Sequence, residues 1–118
     1  GMMSLEANQV SRDPAVVADY IADPLVYNGK ITAALGMEIL SAMDEAIVGA
    51  QHITLPVYIA HGEADVMAMP EGSRAFFQAL ASEDKTLDWW PELYHEIFHE
   101  PESEAVMARF AEWLEAHL

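Results

Sequence analysis

The sequence contains no cysteine among its 118 residues. Without cysteine the chain has no disulfide bond, no thiolate nucleophile and no cysteine-ligated zinc ion. Basic residues are also scarce, because five Lys and Arg stand against twenty Asp and Glu and give a formal net charge of −15. Such a charge repels phosphate groups, so we expect no nucleic-acid partner.

Long hydrophobic runs are missing as well. No apolar stretch approaches the length of a membrane span, and no basic segment precedes an apolar core as in a secretory signal. We therefore expect a soluble, cytoplasmic chain without stable membrane anchoring. The hydrophobic content of 53% is nevertheless high for a small acidic chain, which indicates that a partner covers some apolar surface.

Two apolar stretches lead into polar residue types that catalysis uses. Residues 55–60 precede Asp65, and residues 85–90 precede His95. The first stretch has the pattern of a strand buried on both faces, and parallel α/β sheets keep their functional groups just beyond the strand ends. Asp65 and His95 are thirty positions apart, so they meet only if the two strands lie side by side.

Helices are predicted around these strands. Apolar residues recur every four positions over 32–48, with Gly49 as a stop. Pro70 suits the first position of a second helix, a third opens near Pro101, and a short one is predicted over 14–21. The main order, α-β-α-β-α, predicts an α/β fold with a small parallel sheet flanked by helices, since strands joined through a helix run parallel.

A nucleophile motif is absent from the sequence. The order Asp then His is the second half of the Ser…Asp/Glu…His order of catalytic triads, in which the serine comes first on a G-x-S-x-G turn. No serine here has glycine two places before and two places after it. The six serines are Ser4, Ser11, Ser41, Ser73, Ser82 and Ser103.

Four stretches of the chain match a known family pattern. They are S-R-D-P at 11–14, D-P-L-V-Y at 23–27, the stretch 55–77 with its H-G-x-A-D, and Y-H-E at 94–96 followed by E-P at 100–101. With these stretches the chain resembles the monoacylglycerol lipase and lysophospholipase family of serine hydrolases. The resemblance implies a partial α/β-hydrolase fold that hydrolyses carboxylic esters, with Asp65 as the triad acid and His95 as the general base.

The resemblance also implies that the nucleophile turn and the oxyanion loop precede the matched region. Residues 1–31 would then be the remnant of a lid, and residues 32–118 the carboxyl-terminal hydrolase subdomain. We expect a truncated hydrolase of this kind to be inactive alone, because it lacks the serine. The chain departs from the family pattern at Met69, where an acidic residue is frequent, and at Glu92 and His99, where glycine and asparagine are usual.

Two residues at the end of the first strand receive a structural interpretation. His61 caps the buried strand, and Gly62 permits a tight turn of the backbone. We assign neither of them to catalysis.

The stretch 95–99 reads H-E-I-F-H and matches a zinc motif. In that motif two histidines one helical turn apart bind the metal, and the glutamate activates water. The stretch lies between two prolines, whereas such a site needs a longer helix. We therefore expect no cofactor and no metal, and we keep a small zinc hydrolase using His95, Glu96 and His99 as an alternative.

The strand at residues 57–60 is expected to have a free edge, because the family flanks it with an earlier strand that this chain lacks. A free edge exposes unpaired N–H and C=O groups. We expect a homodimer in which two copies pair these strands about a two-fold axis. Two alternatives remain open, namely a second chain that supplies the missing amino-terminal half and a non-catalytic, self-associating module.

Overall fold

The two predicted strands lie side by side in the computed structural model of the chain, which describes residues 5–118. Within this range the regular elements are helix α1 (Pro14–Ala22), helix α2 (Ala33–Ala50), strand β1 (Val57–Gly62), helix α3 (Pro70–Ala79), strand β2 (Lys85–Trp90) and helix α4 (Ser103–Ala116). Two single 3-10 turns, Ala7–Gln9 and Ile97–His99, complete the set. The predicted order of helices and strands is confirmed.

The sheet consists of β1 and β2, which run parallel in a register that pairs Val57 with Lys85 and Gly62 with Trp90. Both strands therefore end at the same edge of the sheet. The prediction that the first strand is buried on both faces was wrong, because only Gly62 is buried and the rest of β1 is partly exposed. A parallel strand becomes fully buried when helices and neighbouring strands cover it, and β1 has one strand neighbour in the described part of the chain.

Side-chain caps start the first two helices. The carboxylate of Asp13 accepts a hydrogen bond from the Ala15 N–H at 2.8 Å, and the Thr32 hydroxyl accepts one from Leu35 N–H at 3.1 Å. Each cap satisfies a backbone donor that the helix itself leaves unpaired. The predicted stop of α2 at Gly49 was wrong, because the residue after Ala50 keeps right-handed helical angles and no left-handed cap forms there.

A lysine closes the end of α3. The Lys85 ammonium donates hydrogen bonds to the carbonyl oxygens of Phe77 at 3.0 Å and Leu80 at 2.9 Å. These carbonyls lack partners within the helix, and a cation at this end also interacts favourably with the negative end of the helix dipole. Because Lys85 is the first residue of β2, this contact sets the position of the helix against the sheet.

The buried core lies beyond the carboxyl end of the sheet. Its central residues are Leu93, Ile97 and Val106, and Ala60 and Trp90 pack against them. Leu93 and Ile97 flank His95 in the sequence, and Val106 comes from α4. The segment that carries His95 is therefore anchored on both sides by buried apolar side chains. Helix α4 was predicted to begin near Pro101, and it begins two residues later, at Ser103.

An amino-terminal segment crosses the chain to hold the same loop. The Val10 carbonyl accepts a hydrogen bond from the Glu96 N–H at 2.8 Å, and the Ser11 hydroxyl donates one to the His99 carbonyl at 3.0 Å. Val10 and Ser11 are both almost completely buried. The stretch that begins directly after His95 is thus tied to residues far away in the sequence.

The next residue of that segment forms an ion pair with the loop. Arg12 donates from its backbone N–H to Glu100 Oε1 at 2.7 Å and from Nε to Oε2 at 2.5 Å, while its Nη2 contacts Glu102. The Glu100 side chain is fully buried, and its hydrogen bond raises the pKa of Arg12 above the ordinary value. A buried carboxylate left without its partner costs about 3 kcal/mol or more, so Arg12 is a structural requirement of the loop.

Part of the apolar surface lies around β1 and α2. A groove of about 670 Å³ is lined by residues of β1, α2 and α3 and of the loop before α3, and we call it the edge groove. Its apolar lining comprises Met43, Ala46, Ile47, Tyr58, Ile59, Ala60, Ala68, Met69, Ala75 and Phe76. None of the helices within residues 5–118 combines the length and apolar composition that a membrane span requires.

Candidate active site

The Asp65 carboxylate lies just beyond the end of β1 and is 3% exposed. Its Oδ1 accepts hydrogen bonds from the N–H groups of Met67 at 2.8 Å and Ala68 at 3.0 Å. Its Oδ2 lies 2.9 Å from His95 Nδ1 and 3.1 Å from His61 Nε2. Four donors therefore surround a buried carboxylate, which is the condition under which a charge remains stable inside a protein.

The environment of Asp65 favours its ionised form. Burial alone would raise the pKa of this carboxyl, but the hydrogen bonds from His95, Ala68 and Met67 outweigh burial and lower the pKa below its ordinary value. The carboxylate is thus charged at neutral pH. A charged carboxylate can orient an imidazole and stabilise its protonated form.

His95 presents one ring nitrogen to Asp65 and leaves the other available. Because an ionised carboxylate only accepts hydrogen bonds, Nδ1 carries the hydrogen and Nε2 of the neutral ring keeps its lone pair. The side chain is 40% exposed, and it borders a pocket of about 100 Å³ beside Ala60, His61, Gly62, Asp65, Ala68 and Ile97. Among the described residues, Asp65 is the side chain that bonds to the His95 ring, and no serine hydroxyl does so.

The backbone beyond the two strands explains why Asp65 and His95 meet. The Glu63 N–H donates to the Trp90 carbonyl at 2.9 Å, and the Ala64 N–H donates to the Leu93 carbonyl at 3.1 Å. A Cβ atom on Gly62 would collide with the carbonyl oxygens of Leu93 and Tyr94. Gly62 is therefore required for this close approach. We had expected it to be required for the backbone angles of a turn, but its φ angle is not positive.

The turn before His95 contains the one non-glycine residue with positive φ in the described chain. Glu92 has φ 67°, in the left-handed region where a Cβ atom costs roughly 1–2 kcal/mol. Glycine adopts this conformation freely, which explains why the family pattern usually has glycine at this position. The departure changes the energy of the turn and leaves His95 within reach of Asp65.

The sequence pattern does not show the contribution of His61 to the site. Its Nε2 lies 2.8 Å from the Ala68 carbonyl as well as near Asp65, and its Nδ1 lies 2.6 Å from the Ser73 hydroxyl. His61 is therefore a second histidine on the same carboxylate, not merely the cap of a strand. The i,i+4 spacing of His61 and Asp65 was visible, but only the fold of the intervening loop shows that their side chains converge.

The alternative zinc set of His95, Glu96 and His99 does not converge in the structure. Only residues 97–99 of this stretch form a turn, of 3-10 type, whereas the motif requires an α-helix. His95 Nδ1 faces Asp65, and His99 Nδ1 faces Glu96 Oε2 at 2.6 Å. No group of three metal-ligating side chains suitable for a metal ion occurs in residues 5–118.

A parallel β-α-β unit with an aspartate beyond its first strand and a histidine beyond its second defines part of an α/β-hydrolase. The chain matches the crystal structure of Paleococcus ferrophilus monoacylglycerol lipase with a TM-score of 0.89 and 38% identity, over 100% of this chain and 47% of that one. A soluble variant of monoglyceride lipase from Saccharomyces cerevisiae, in complex with a substrate analogue, matches in fold, with a TM-score of 0.84 and 24% identity over 99% and 41% of the two chains.

Sequence comparison identifies the family. The family model of serine aminopeptidase, S33, matches residues 2–102, and the chain belongs to this family. It is 39% identical to the monoacylglycerol lipase of Mycolicibacterium smegmatis over 115 residues, 98% of this chain and 41% of that protein. It is 29% identical to caffeoylshikimate esterase of Arabidopsis thaliana over 107 residues, 88% of this chain and 32% of that protein. The predicted resemblance to monoacylglycerol lipases is confirmed, and the chain spans less than half of these relatives.

We expect Asp65→Asn to lower the free energy of unfolding by about 1–3 kcal/mol at pH 7, because the new amide nitrogen would face the N–H groups of two histidines. Because the pKa of Asp65 is lowered in the folded chain, the carboxylate contributes its full stabilisation at pH values above 3.8, the ordinary pKa of this group. That contribution is lost as the pH falls through the lower pKa of the folded state. Urea unfolding over a pH series measures this dependence.

The exposed residue Asp44 provides the matched control. Asp44→Asn should change the free energy of unfolding by less than about 0.5 kcal/mol at every pH. The difference between the Asp65→Asn variant and the original chain should shrink below pH 3.8. A difference that stays constant down to the lowest pH would contradict stabilisation by the ionised carboxylate.

Proposed function

We propose that this chain provides the acid and base of a serine-dependent carboxylic ester hydrolase, with Asp65 as the orienting acid and His95 as the general base. The observation that carries the proposal is the 2.9 Å hydrogen bond from His95 Nδ1 to Asp65 Oδ2. It leaves Nε2 of a partly exposed ring available to accept a proton. The nucleophilic serine and the oxyanion donors would come from polypeptide outside the 118 residues.

The chemistry follows from the assignment of the two ring nitrogens. Nε2 of His95 would take the proton of a serine hydroxyl while the serine oxygen attacks the ester carbonyl. The resulting imidazolium is stabilised by Asp65 and returns its proton to the departing alcohol. A water molecule then attacks the acyl-serine ester with the same help from His95, which releases the acid and restores the serine.

The proposed substrate class is a monoacylglycerol or a related acyl ester. It is supported by the names of the relatives, since the proteins of Mycolicibacterium smegmatis and Paleococcus ferrophilus are both monoacylglycerol lipases. The caffeoylshikimate esterase relative also acts on an ester. The apolar lining of the edge groove agrees with an apolar acyl substrate or with an apolar segment that completes the fold.

A chimera tests the proposed reaction. The amino-terminal part of the Mycolicibacterium smegmatis lipase, up to the matched region, is joined to this chain, and hydrolysis of p-nitrophenyl butyrate and of a monoacylglycerol is measured. We expect the chimera to hydrolyse both esters, and we expect His95→Ala to lower kcat by about 10³-fold or more. The 118-residue chain alone should neither hydrolyse esters above background nor react with a fluorophosphonate probe.

His99 provides the matched control for His95. His99 is exposed and its ring faces Glu96, so His99→Ala should leave hydrolysis by the chimera within about twofold. A chimera that keeps its activity after His95→Ala would contradict the proposed base. Activity that requires His99 and added zinc would instead favour the zinc alternative.

We further propose that the free edge of β1 pairs with another chain, and that a second copy fills it when the chain is alone. Unpaired N–H and C=O groups at an edge invite strand addition, and the edge groove surrounds this edge with apolar side chains. Exposed apolar residues of α2 continue the surface, namely Leu35, Met37, Ile39, Leu40, Met43 and Val48. This arrangement also supports the second candidate function, a self-associating module without catalysis.

We expect the isolated chain to be a dimer in multi-angle light scattering at micromolar concentration. Ile59→Lys should give a monomer, because it places a charge on the pairing strand itself, where the side chain lines the edge groove. Leu55→Lys, at a residue that is 72% exposed before the strand, should leave the dimer intact. A monomer for the unmodified chain, or a dimer that survives Ile59→Lys, would contradict pairing through this edge.

A further inference from the structure

His61 and Ser73 form a hydrogen-bonded pair behind the proposed catalytic acid. His61 is the fifth residue of β1, and Ser73 lies in the first turns of α3. The Ser73 hydroxyl oxygen is 2.6 Å from His61 Nδ1, and His61 Nε2 is 3.1 Å from Asp65 Oδ2. The pair therefore connects a strand, a helix and the carboxylate that His95 needs.

The acceptors around His61 determine where its hydrogen lies. Nε2 faces the Ala68 carbonyl at 2.8 Å and the Asp65 carboxylate, and both groups only accept hydrogen bonds. Nε2 must then carry the hydrogen. Nδ1 of the neutral ring is an acceptor, so the Ser73 hydroxyl donates to it. Ser73 thus favours the single tautomer in which His61 can donate to Asp65.

The shared oxygen gives this pair a consequence for His95. Oδ2 of Asp65 accepts hydrogen bonds from both imidazole rings, whereas Oδ1 accepts hydrogen bonds from the backbone N–H groups of its own loop. If His61 did not donate to Oδ2, His95 would be the one remaining donor to this oxygen among the described residues, and the orientation of the carboxylate would depend on that bond and on the two N–H groups that hold Oδ1. Donation from His61 also fixes the Ala68 carbonyl, and with it the loop from which Oδ1 is bonded.

We infer that His61, held by Ser73, is a positioning residue that keeps Asp65 Oδ2 directed at His95 and so keeps His95 in its Nδ1–H tautomer. The inference rests on the proposed function for its importance in catalysis. Its structural content concerns the isolated chain, because the tautomer of His95 can be measured without a serine nucleophile. Failure of the chimera to hydrolyse esters would therefore leave this test unaffected.

Nitrogen NMR of the ¹⁵N-histidine-labelled chain, recorded above the titration range of the histidines, tests the inference. In the original chain we expect His95 to show a protonated Nδ1 and an unprotonated Nε2. His61→Phe keeps an aromatic ring but no donor, and should move His95 towards the Nε2–H tautomer that free imidazole side chains prefer. His61→Gln restores an amide donor near the position of Nε2 and should return His95 largely to the Nδ1–H tautomer.

A second variant covers the case in which His61→Phe does not fold. Ser73→Ala removes the donor to His61 Nδ1, and should release the His61 tautomer and weaken the Nδ1–H preference of His95, while Ser73→Thr should preserve both. A His95 signal that remains fully Nδ1–H in a folded His61→Phe or Ser73→Ala variant would overturn the inference. Fluorophosphonate labelling of Ser73 that is lost in His61→Phe would also overturn it, since Ser73 would then be a nucleophile.

Discussion

The buried charge of Asp65 is the constraint on which the site depends. A carboxylate that is 3% exposed is tolerated only if donors replace the water it has lost. Two donors come from its own loop, one from the end of β1 and one from the loop after β2. A single buried group thus joins three segments, and the parallel pairing of β1 with β2 is what brings those segments to one edge of the sheet.

The loop of His95 is held independently of Asp65. On one side, the backbone carbonyls of Leu93 and Tyr94 approach Gly62 so closely that a Cβ atom would not fit. On the other side, residues 10–12 bond to residues 96–100 through one backbone–backbone hydrogen bond, through the Ser11 hydroxyl, and through the backbone N–H and guanidinium of Arg12, which both bond to the buried carboxylate of Glu100. The His95 loop is therefore held in place within this chain, as the proposed role of His95 as a general base would require.

Much of the fold could be predicted because local patterns specify it. The periodicity before Gly49 and the apolar stretches before Asp65 and His95 predicted the helices and the parallel pair of strands to within a few residues. The contact of Asp65 with His95 was predicted from their places after adjacent strands together with the family resemblance, since their spacing alone did not favour it. The family membership was also predictable, since the motifs around His61 and His95 are specific enough to identify relatives.

The other features of the site could not be predicted, because they depend on contacts between segments that are far apart in the sequence. Hydrogen bonds between residues 88 positions apart hold the Ser11 and Arg12 segment to the His95 loop, and no local pattern encodes that distance. Gly62 was assigned to a turn because the amino-acid sequence does not show which carbonyl groups lie beside it in the fold. His61 was assigned the role of a strand cap, because the i,i+4 spacing to Asp65 brings the two side chains together only when the loop between them folds back.

The hydrogen bond between His95 and Asp65 is tested most directly by the proton NMR spectrum of the 118-residue chain at neutral pH. A preformed hydrogen bond from His95 Nδ1 to the Asp65 carboxylate should give a slowly exchanging imidazole N–H resonance downfield of the backbone amides. We expect this resonance to be present in the original chain and in the His99→Ala variant, and absent in the Asp65→Ala variant. Absence of the resonance from a folded original chain, or its persistence without Asp65, would contradict the claim that this chain carries a preassembled acid–base pair.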